Sequence, residues 1–505
     1  MTRNRCLVVM LLVITASMCG PDFAQNRYPG RERPGPKAPR SKGAAAFLTD
    51  VPEYPGNVIL GRPAATSVML SLLCNKKVEG ILVWGTSSQK LPGDGIKVTL
   101  AAGEPKMLQL SGLAADTQYY YALLDAATGA RILPREQNGS FHTARAHGQA
   151  FTFTIQADSH LDEACLPELY RKTLANALAD NPDFNIDLGD TFMTEKHGSR
   201  ESAAKQYAAQ RYYLGLIGHS LPLFLVLGNH DGESMDRGGM SGPDSLAVWS
   251  HQMRTRYFVN PIPDGFYGGN TARHPIAGLL ENYYAWEWGD ALFVALDPYW
   301  TSLPTQGGRS PWNMTIGMPQ YEWLARTLRN SKARFKFVFI HQLTGSYHES
   351  GRGGAEAAAY QEWGGHDLDG TMPFSRNRPG WEMPIHRLLV ETGVTVVFHG
   401  HDHFYAHQEL DGISYQLVPQ PAHADDRSDH AQEYGYKKGL FLPSSGFLRV
   451  KVAPAQATVE YVRSTLPENE RRDTRNGSVG DSYVLRGRWN SATESLIHSD
   501  QKSSL

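Results

Sequence analysis

Two textures of apolar and polar residues divide the chain. Between about Asn57 and Arg145, short runs alternate apolar and polar residues, as in Val68-Leu70-Leu72 and Ile96-Val98-Leu100, and Pro92-Gly93-Asp94-Gly95 marks a turn. Period two with frequent turns predicts a small all-β sandwich, assigned to residues 51–146, with a last strand around Gly139–Thr143. From Phe151 the runs lengthen and become continuously apolar, as expected of strands buried on both faces. Strands are expected at Phe151–Gln156, Phe184–Leu188, Leu223–Leu227, Leu292–Leu296, Phe335–Ile340, Val394–Phe398 and Ile413–Val418, with a closing pair near Phe447–Val452 and Thr458–Val462. Helices are expected from the Leu166, Leu169, Leu174 and Leu178 face, from Glu201–Ile217, and from Tyr321–Arg329 and Trp381–Glu391. Alternating strands and helices predict an α/β layered domain over 150–464, with a Gly-rich insertion at about 343–380 and a polar tail at 465–505.

The N-terminus adds an address. Arg3 and Arg5 precede an apolar run from Cys6 to Ile14, the layout of a secretory signal, so residues 1–24 are read as a signal peptide and 25–50 as a Pro/Gly/Arg-rich linker. The expectation is a secreted or periplasmic protein, with lipid attachment at Cys19 as a minor alternative. No later stretch of about 18 apolar residues predicts a transmembrane segment. The 505 residues carry a net charge of -2, which provides no field for holding a nucleic acid. Cys74 and Cys165, beyond the signal, are compatible with one bridge or two buried thiols, and neither lies in a metal-binding spacing. In the sandwich, Leu113 followed by Asp116 and the run Tyr119-Tyr120-Tyr121 resembles the tyrosine corner of a fibronectin type III-like domain.

Candidate chemistry sits where apolar strands end. Five of them run into Asp158-Ser159-His160, Gly189-Asp190, Gly228-Asn229-His230-Asp231, His341 and Gly400-His401-Asp402-His403. Ligands of α/β sheets collect beyond the carboxyl ends of the strands, so five such ends on one rim would bring these side chains together. Asp158, His160, Asp190, Asn229, His341, His401 and His403 offer oxygen and imidazole donors without thiolate. That set suits two divalent or Fe/Mn/Zn-type metal ions sharing a carboxylate better than a single four-coordinate ion. Gly189, Gly228 and Gly400 permit the turns that aim the next side chain inward.

This ordered series resembles the calcineurin-like metallophosphoesterase family, whose pattern runs D-x-H, G-D, G-N-H-D/E, a lone H and G-H-x-H. The resemblance implies a layered β-sandwich flanked by helices. It implies one metal on Asp158, His160 and His403, the other on Asn229, His341 and His401, and a bridge through Asp190. It further implies that His230 meets the phosphate and protonates the leaving group, with Asp231 orienting it. The order of sandwich and catalytic domain is similar to purple acid phosphatases. Their tyrosine three residues after the bridging aspartate is Met193 here, and His160 is an added histidine, so no tyrosinate colour is expected.

The functional expectation is hydrolysis of small phosphate mono- or diesters by metal-activated hydroxide, with no nucleic acid and no obligate protein partner. The alternative is a non-hydrolytic, metal-dependent module that binds phosphorylated surface ligands; an intact His230 favours the enzyme. Asn229, His230 and Arg352 of the insertion are candidate substrate contacts. His399 is expected to be packed away from the metals, and His423 and His430 to lie in a polar loop outside the site.

Overall fold

The computed structural model describes residues 46–487 except 135, 235–241, 243, 303–309, 347–350 and 425–426. The expected signal segment and most of the linker lie outside these residues. No helix among the described residues is long and apolar enough to cross a membrane.

The N-terminal region is all-β and antiparallel. One sheet orders Gly56–Gly61, Ser67–Cys74 and Lys106–Ser111; the other orders Ile96–Leu100, Val78–Gly85, Gln118–Asp125 and Arg131–Leu133, with Gly139–His142 also on Gln118–Asp125. Their inward residues, among them Val68, Leu70, Leu72, Leu82, Val98, Tyr121 and Phe141, form one core. The tyrosine corner is present: Tyr119 Oη accepts the Ala114 N–H at 2.9 Å. Cys74 and Cys165 are free and buried, so the bridge left open by the sequence is not formed. Burial pushes their thiols up to about 11 and about 12.

The larger domain stacks two sheets. A six-stranded sheet runs Leu223–Leu225, Phe184–Asp187, Phe151–Gln156, Gly446–Val452, Gln456–Arg463 and Val479–Arg486. An eight-stranded sheet runs Gly268–Gly269, Tyr284–Trp288, Ala291–Ala295, Phe335–Phe339, Val396–His399, Ile413–Leu417, Tyr405–Leu410 and Leu440–Leu442. Alternate residues of both sheets meet in an aromatic core, with Phe153 5.1 Å from Phe293 and 5.7 Å from Phe337 between ring centroids. The opposite faces carry helices. Pro167–Ala179 and Arg200–Gly218 pack through Tyr170, Leu174, Tyr207 and Leu214 on one side. Gly317–Asn330 and Ile385–Glu391 cover Val338, Ile340 and Val397 on the other. Burial on both faces explains why the central strands are continuously apolar.

Three expectations change. The segment from 465 is not simply a polar tail: Val479–Arg486 pairs with Gln456–Arg463 as an edge strand. An edge strand needs only one apolar face, so its composition resembles that of a solvated segment. The Gly-rich insertion at about 343–380, read as a long loop, holds among its described residues the short helices Gln361–Gly364 and Phe374–Asn377 around a fully buried Trp363. The helix expected from Trp381 begins at Ile385, because Pro384 at its N-cap is extended (φ -57°, ψ 151°).

Candidate metal centre

The five strand ends converge, but from two sheets. Phe151–Gln156, Phe184–Asp187 and Leu223–Leu225 are parallel neighbours in one sheet, and Phe335–Phe339 and Val396–His399 are parallel neighbours in the other. Close backbone approach lets them meet. A Cβ on Gly228 would lie 2.0 Å from the Asp190 nitrogen, and one on Gly400 would lie 2.7 Å from Asp158 Oδ2. Asp158, His160, Asp190, His401 and His403 all adopt left-handed backbone, with φ between 51° and 77°. Each such residue costs about 1–2 kcal/mol, and strain of this kind gathers at functional sites. The helix Arg200–Gly218, capped by Ser199, holds the strained loops from behind. On its inner face, one turn apart, Gln206 donates to the carbonyls of His160 and Thr191, and Gln210 donates to Ser159 Oγ and the Thr191 carbonyl.

At the centre, Asp158 Oδ1 lies 3.4 Å from His403 Nε2 and 3.7 Å from His160 Nε2. Asp190 Oδ2 lies 3.4 Å from His341 Nε2 and 3.8 Å from His160 Nε2, so it faces both halves of the site. Asn229 Oδ1 is 3.1 Å from His341 Nε2. Two clusters of convergent donors result, Asp158/His160/His403 and Asp190/His341/His401. Each of the seven expected ligands is therefore found at this centre. The His341 Nδ1–H donates to the Leu188 carbonyl at 2.9 Å, which turns Nε2 towards Asp190 and Asn229.

Three inward atoms test the fit to metal ions. Asp158 Oδ1, His160 Nε2 and Asp190 Oδ2 are buried without a hydrogen-bond partner. Buried polar atoms are normally satisfied, and a cation would satisfy this set of carboxylate oxygens and imidazole nitrogen. The electrostatics favour positive charge. Burial opposes ionisation of His341 and His160, yet the facing Asp190 and Asp158 carboxylates raise the first to about 10 and the facing Asp158 and Asp162 carboxylates raise the second to about 9. Burial likewise opposes ionisation of Asp158, but His341, His160 and His403 hold its carboxyl well below the usual range.

The surroundings depart from expectation in two places. Asp231 makes no hydrogen bond to the His230 ring. Its carboxylate accepts backbone N–H groups from Asp190, Thr191, Phe192 and Gly228 at 2.7–3.2 Å, which makes it a brace for two metal-bearing loops. Burial and the Asp190 charge push its carboxyl up to about 7. Glu195 Oε1 instead contacts His230 Nδ1, while His230 Nε2 faces Asp190 Oδ2 at 4.0 Å. Glu195 lies in the 3-10 turn Thr194–Lys196, and no motif spacing marks it. His423, expected outside the site, is buried with Nε2 2.9 Å from Asp162 Oδ1, and Asp162 Oδ2 lies 3.2 Å from His160 Nδ1. His430 is exposed, as its loop position suggested, and His399 is buried, with burial lowering its imidazole to about 4.

Arg352 comes from the insertion to the rim of the centre. Its Nη1 donates to the His401 carbonyl at 3.0 Å and to Asp402 Oδ1 at 2.9 Å, and its guanidinium lies over the Tyr434 ring at 4.3 Å. Met193 occupies the position of the purple-site tyrosine and is buried.

Comparison with known proteins agrees with this geometry. The model of the family described as calcineurin-like phosphoesterase matches residues 151–405, just over half the chain. No curated protein matches the sequence. Among solved structures, one described as "Structure of PhoD" is similar with a TM-score of 0.58 and 14% identity, covering 90% of this chain and 94% of that one. Purple acid phosphatase PPD1 from yellow lupin (Lupinus luteus) seeds is similar with a TM-score of 0.53 and 14% identity, covering 88% of this chain and 74% of that one. At these identities the likeness shows the fold, including the N-terminal β region.

Proposed function

The chain belongs to the calcineurin-like phosphoesterase family, and from that premise we propose that it is an exported two-metal hydrolase of small phosphate esters. The observation that carries the reading is the convergence of Asp158 Oδ1, His160 Nε2 and Asp190 Oδ2, buried and without hydrogen-bond partners. Asp158, His160 and His403 would hold one ion, Asn229, His341 and His401 the other, with Asp190 between them. Bound there, the ions would supply Lewis acidity, activating water as a nucleophile and neutralising the phosphate oxygens.

The chain's own groups do the rest. His230, partly exposed beside Asp190, presents Nε2 to the site while Glu195 fixes Nδ1. Protonated on both nitrogens, its ring can hand the Nε2 proton to the departing alkoxide, and the Glu195 carboxylate stabilises that charged form. Arg352 spends Nη1 on Asp402 and the His401 carbonyl, leaving its other N–H donors for a substrate oxygen or a second anionic group. Export is supported by the charged-then-apolar order of residues 1–24.

The experiment is hydrolysis of a chromogenic phosphomonoester and its diester by the full chain, after chelation and after return of Mn, Zn or Fe. The expected result is turnover lost on chelation and restored by metal, with the preferred ester setting the subclass. No turnover of either ester by chain carrying two ions would favour metal-dependent binding over hydrolysis.

A further inference from the structure

Three clusters of metal-type donors lie in this region, and the reading above uses two. The third is His160, Asp162 and His423. We infer that Asp162 and His423 are positioning residues that hold the His160 imidazole in the tautomer and direction a metal ligand needs, and that they act on only one of the two metal sites. The inference rests on the two-metal reading and goes beyond its ligand set.

The geometry assigns each nitrogen. His160 Nε2 faces Asp158 Oδ1 and Asp190 Oδ2 at 3.7 and 3.8 Å and has no hydrogen-bond partner. Its Nδ1 lies 3.2 Å from Asp162 Oδ2. An ionised carboxylate only accepts, so the ring proton belongs on Nδ1 and the lone pair on Nε2 points to the metal centre. The other carboxylate oxygen, Oδ1, meets His423 Nε2 at 2.9 Å and accepts the Ala164 N–H at 3.0 Å. Donors on both oxygens prevent the carboxylate from rotating away.

Both supports are themselves anchored. Asp162 pairs with Phe47 in an isolated antiparallel bridge, and Leu48 N–H donates to the Leu161 carbonyl at 2.7 Å. His423 is 1% exposed. The residues before it are pinned to the helix Pro167–Ala179 and its approach, where Thr173 Oγ1 donates to the Pro421 carbonyl and Leu166 N–H to the Ala422 carbonyl. A third cation in this cluster would need both nitrogens of His160 as ligands, stripping the ring of its only N–H. An orienting carboxylate needs no such step.

The two metal sites are therefore supported unequally. His160 leans on a charged carboxylate, whereas His341 Nδ1 leans on the neutral Leu188 carbonyl. A carboxylate behind an imidazole raises its basicity as a ligand, and losing such a partner typically weakens metal binding by about 10–100-fold.

The test counts ions rather than turnover. The full chain is loaded with Mn2+ as the probe, dialysed and assayed for metal per chain, with the EPR spectrum recorded. The wild type is expected to hold two Mn2+ with an exchange-coupled spectrum. Asp162→Asn should bind one of the two about 10–100-fold more weakly and show an isolated-ion spectrum, with Asp162→Glu restoring much of the loss. His423→Gln should weaken the same ion to a smaller extent, and it carries the comparison alone if Asp162→Asn fails to fold. Two ions at wild-type affinity in the folded variants would overturn the inference, as would loss of both ions from a variant with native circular dichroism. Three ions per wild-type chain falling to two in His423→Gln would give the cluster its own cation and overturn it as well. A wild-type chain that takes up no metal would defeat the two-metal reading itself, and this inference with it.

Discussion

At the residue scale, the proposed catalysis and metal holding are separable because different atoms would carry them. His230 meets the ligand set only through its ring near Asp190 and its N–H to Asp190 Oδ1. His230→Ala keeps that backbone contact, so metal content should stay at the wild-type level while kcat falls by about 10²–10⁴-fold, the range of a lost general acid. Retained turnover in a metal-replete variant would remove His230 from the acid role. Glu195→Gln should lower kcat to a smaller extent at unchanged metal content, because the His230 ring loses the carboxylate that fixes its Nδ1. The seven candidate ligands were legible in the sequence because each follows a strand, and all but the lone His341 stand in a short motif. Glu195, Asp162 and His423 were not, since they act through contacts between segments far apart in the chain. Asp162 had the only local hint, standing two residues after His160 as His160 stands two after Asp158.

At the element scale, the parallel strands were readable as continuous apolar runs, while elements with one solvated face or aromatic-rich composition were not. The strand Tyr284–Trp288, which pairs with the expected strand at Ala291–Ala295, and the helix Leu246–Tyr257 were missed in this way, the second because charged residues are buried in it. Arg254 on that helix donates from Nε and Nη2 to Glu233 at 2.6 and 3.1 Å, and Trp300 Nε1 donates to Glu233 Oε2 at 3.1 Å. Burial opposes ionisation of Glu233, but the Arg254 charge and the His251 hydrogen bond pull its carboxyl down to about 2. A depressed carboxylate contributes stability that is complete above its unfolded value near 4.5 and disappears as pH falls towards 2. Glu233→Gln should therefore lower Tm at neutral pH and flatten the loss of Tm between about pH 4.5 and 2. An unchanged acid limb measured by thermal circular dichroism would show that this pair does not govern it.

At the scale of the whole molecule, the N-terminal sandwich is joined to the catalytic domain through buried polar groups as well as apolar surface, and the described residues fall in one compact unit. Arg211, fully buried on the helix Arg200–Gly218, donates from Nε to Asn57 Oδ1 at 2.8 Å and from Nη1 and Nη2 to Ser71 Oγ and the Ser71 carbonyl at 2.6 and 2.7 Å. Beside it, Ile59 of the sandwich lies in the same apolar cluster as Tyr213, Leu214 and Ile217 of the helix. A Cβ on Gly215 would come within 2.2 Å of Asn57 Nδ2, so the contact is close at the backbone. Without the sandwich, a buried guanidinium would lose its partners and an apolar helix face would meet water. Hydrogen bonds to charged groups contribute about 1.5–3 kcal/mol each, so this junction exceeds a typical mobile domain contact. The same helix carries Gln206 and Gln210, which brace the loops of Asp158–His160 and Asp190–Thr191. Disturbing the junction should therefore reach the metal centre through one rigid element. The full chain is expected to unfold in a single calorimetric transition with matching calorimetric and van't Hoff enthalpies. Asn57→Ala should lower that transition as a whole and weaken metal retention together with it. Two resolved transitions, or a stable, metal-retaining fragment beginning near residue 150, would show instead that the sandwich is an independent appendage.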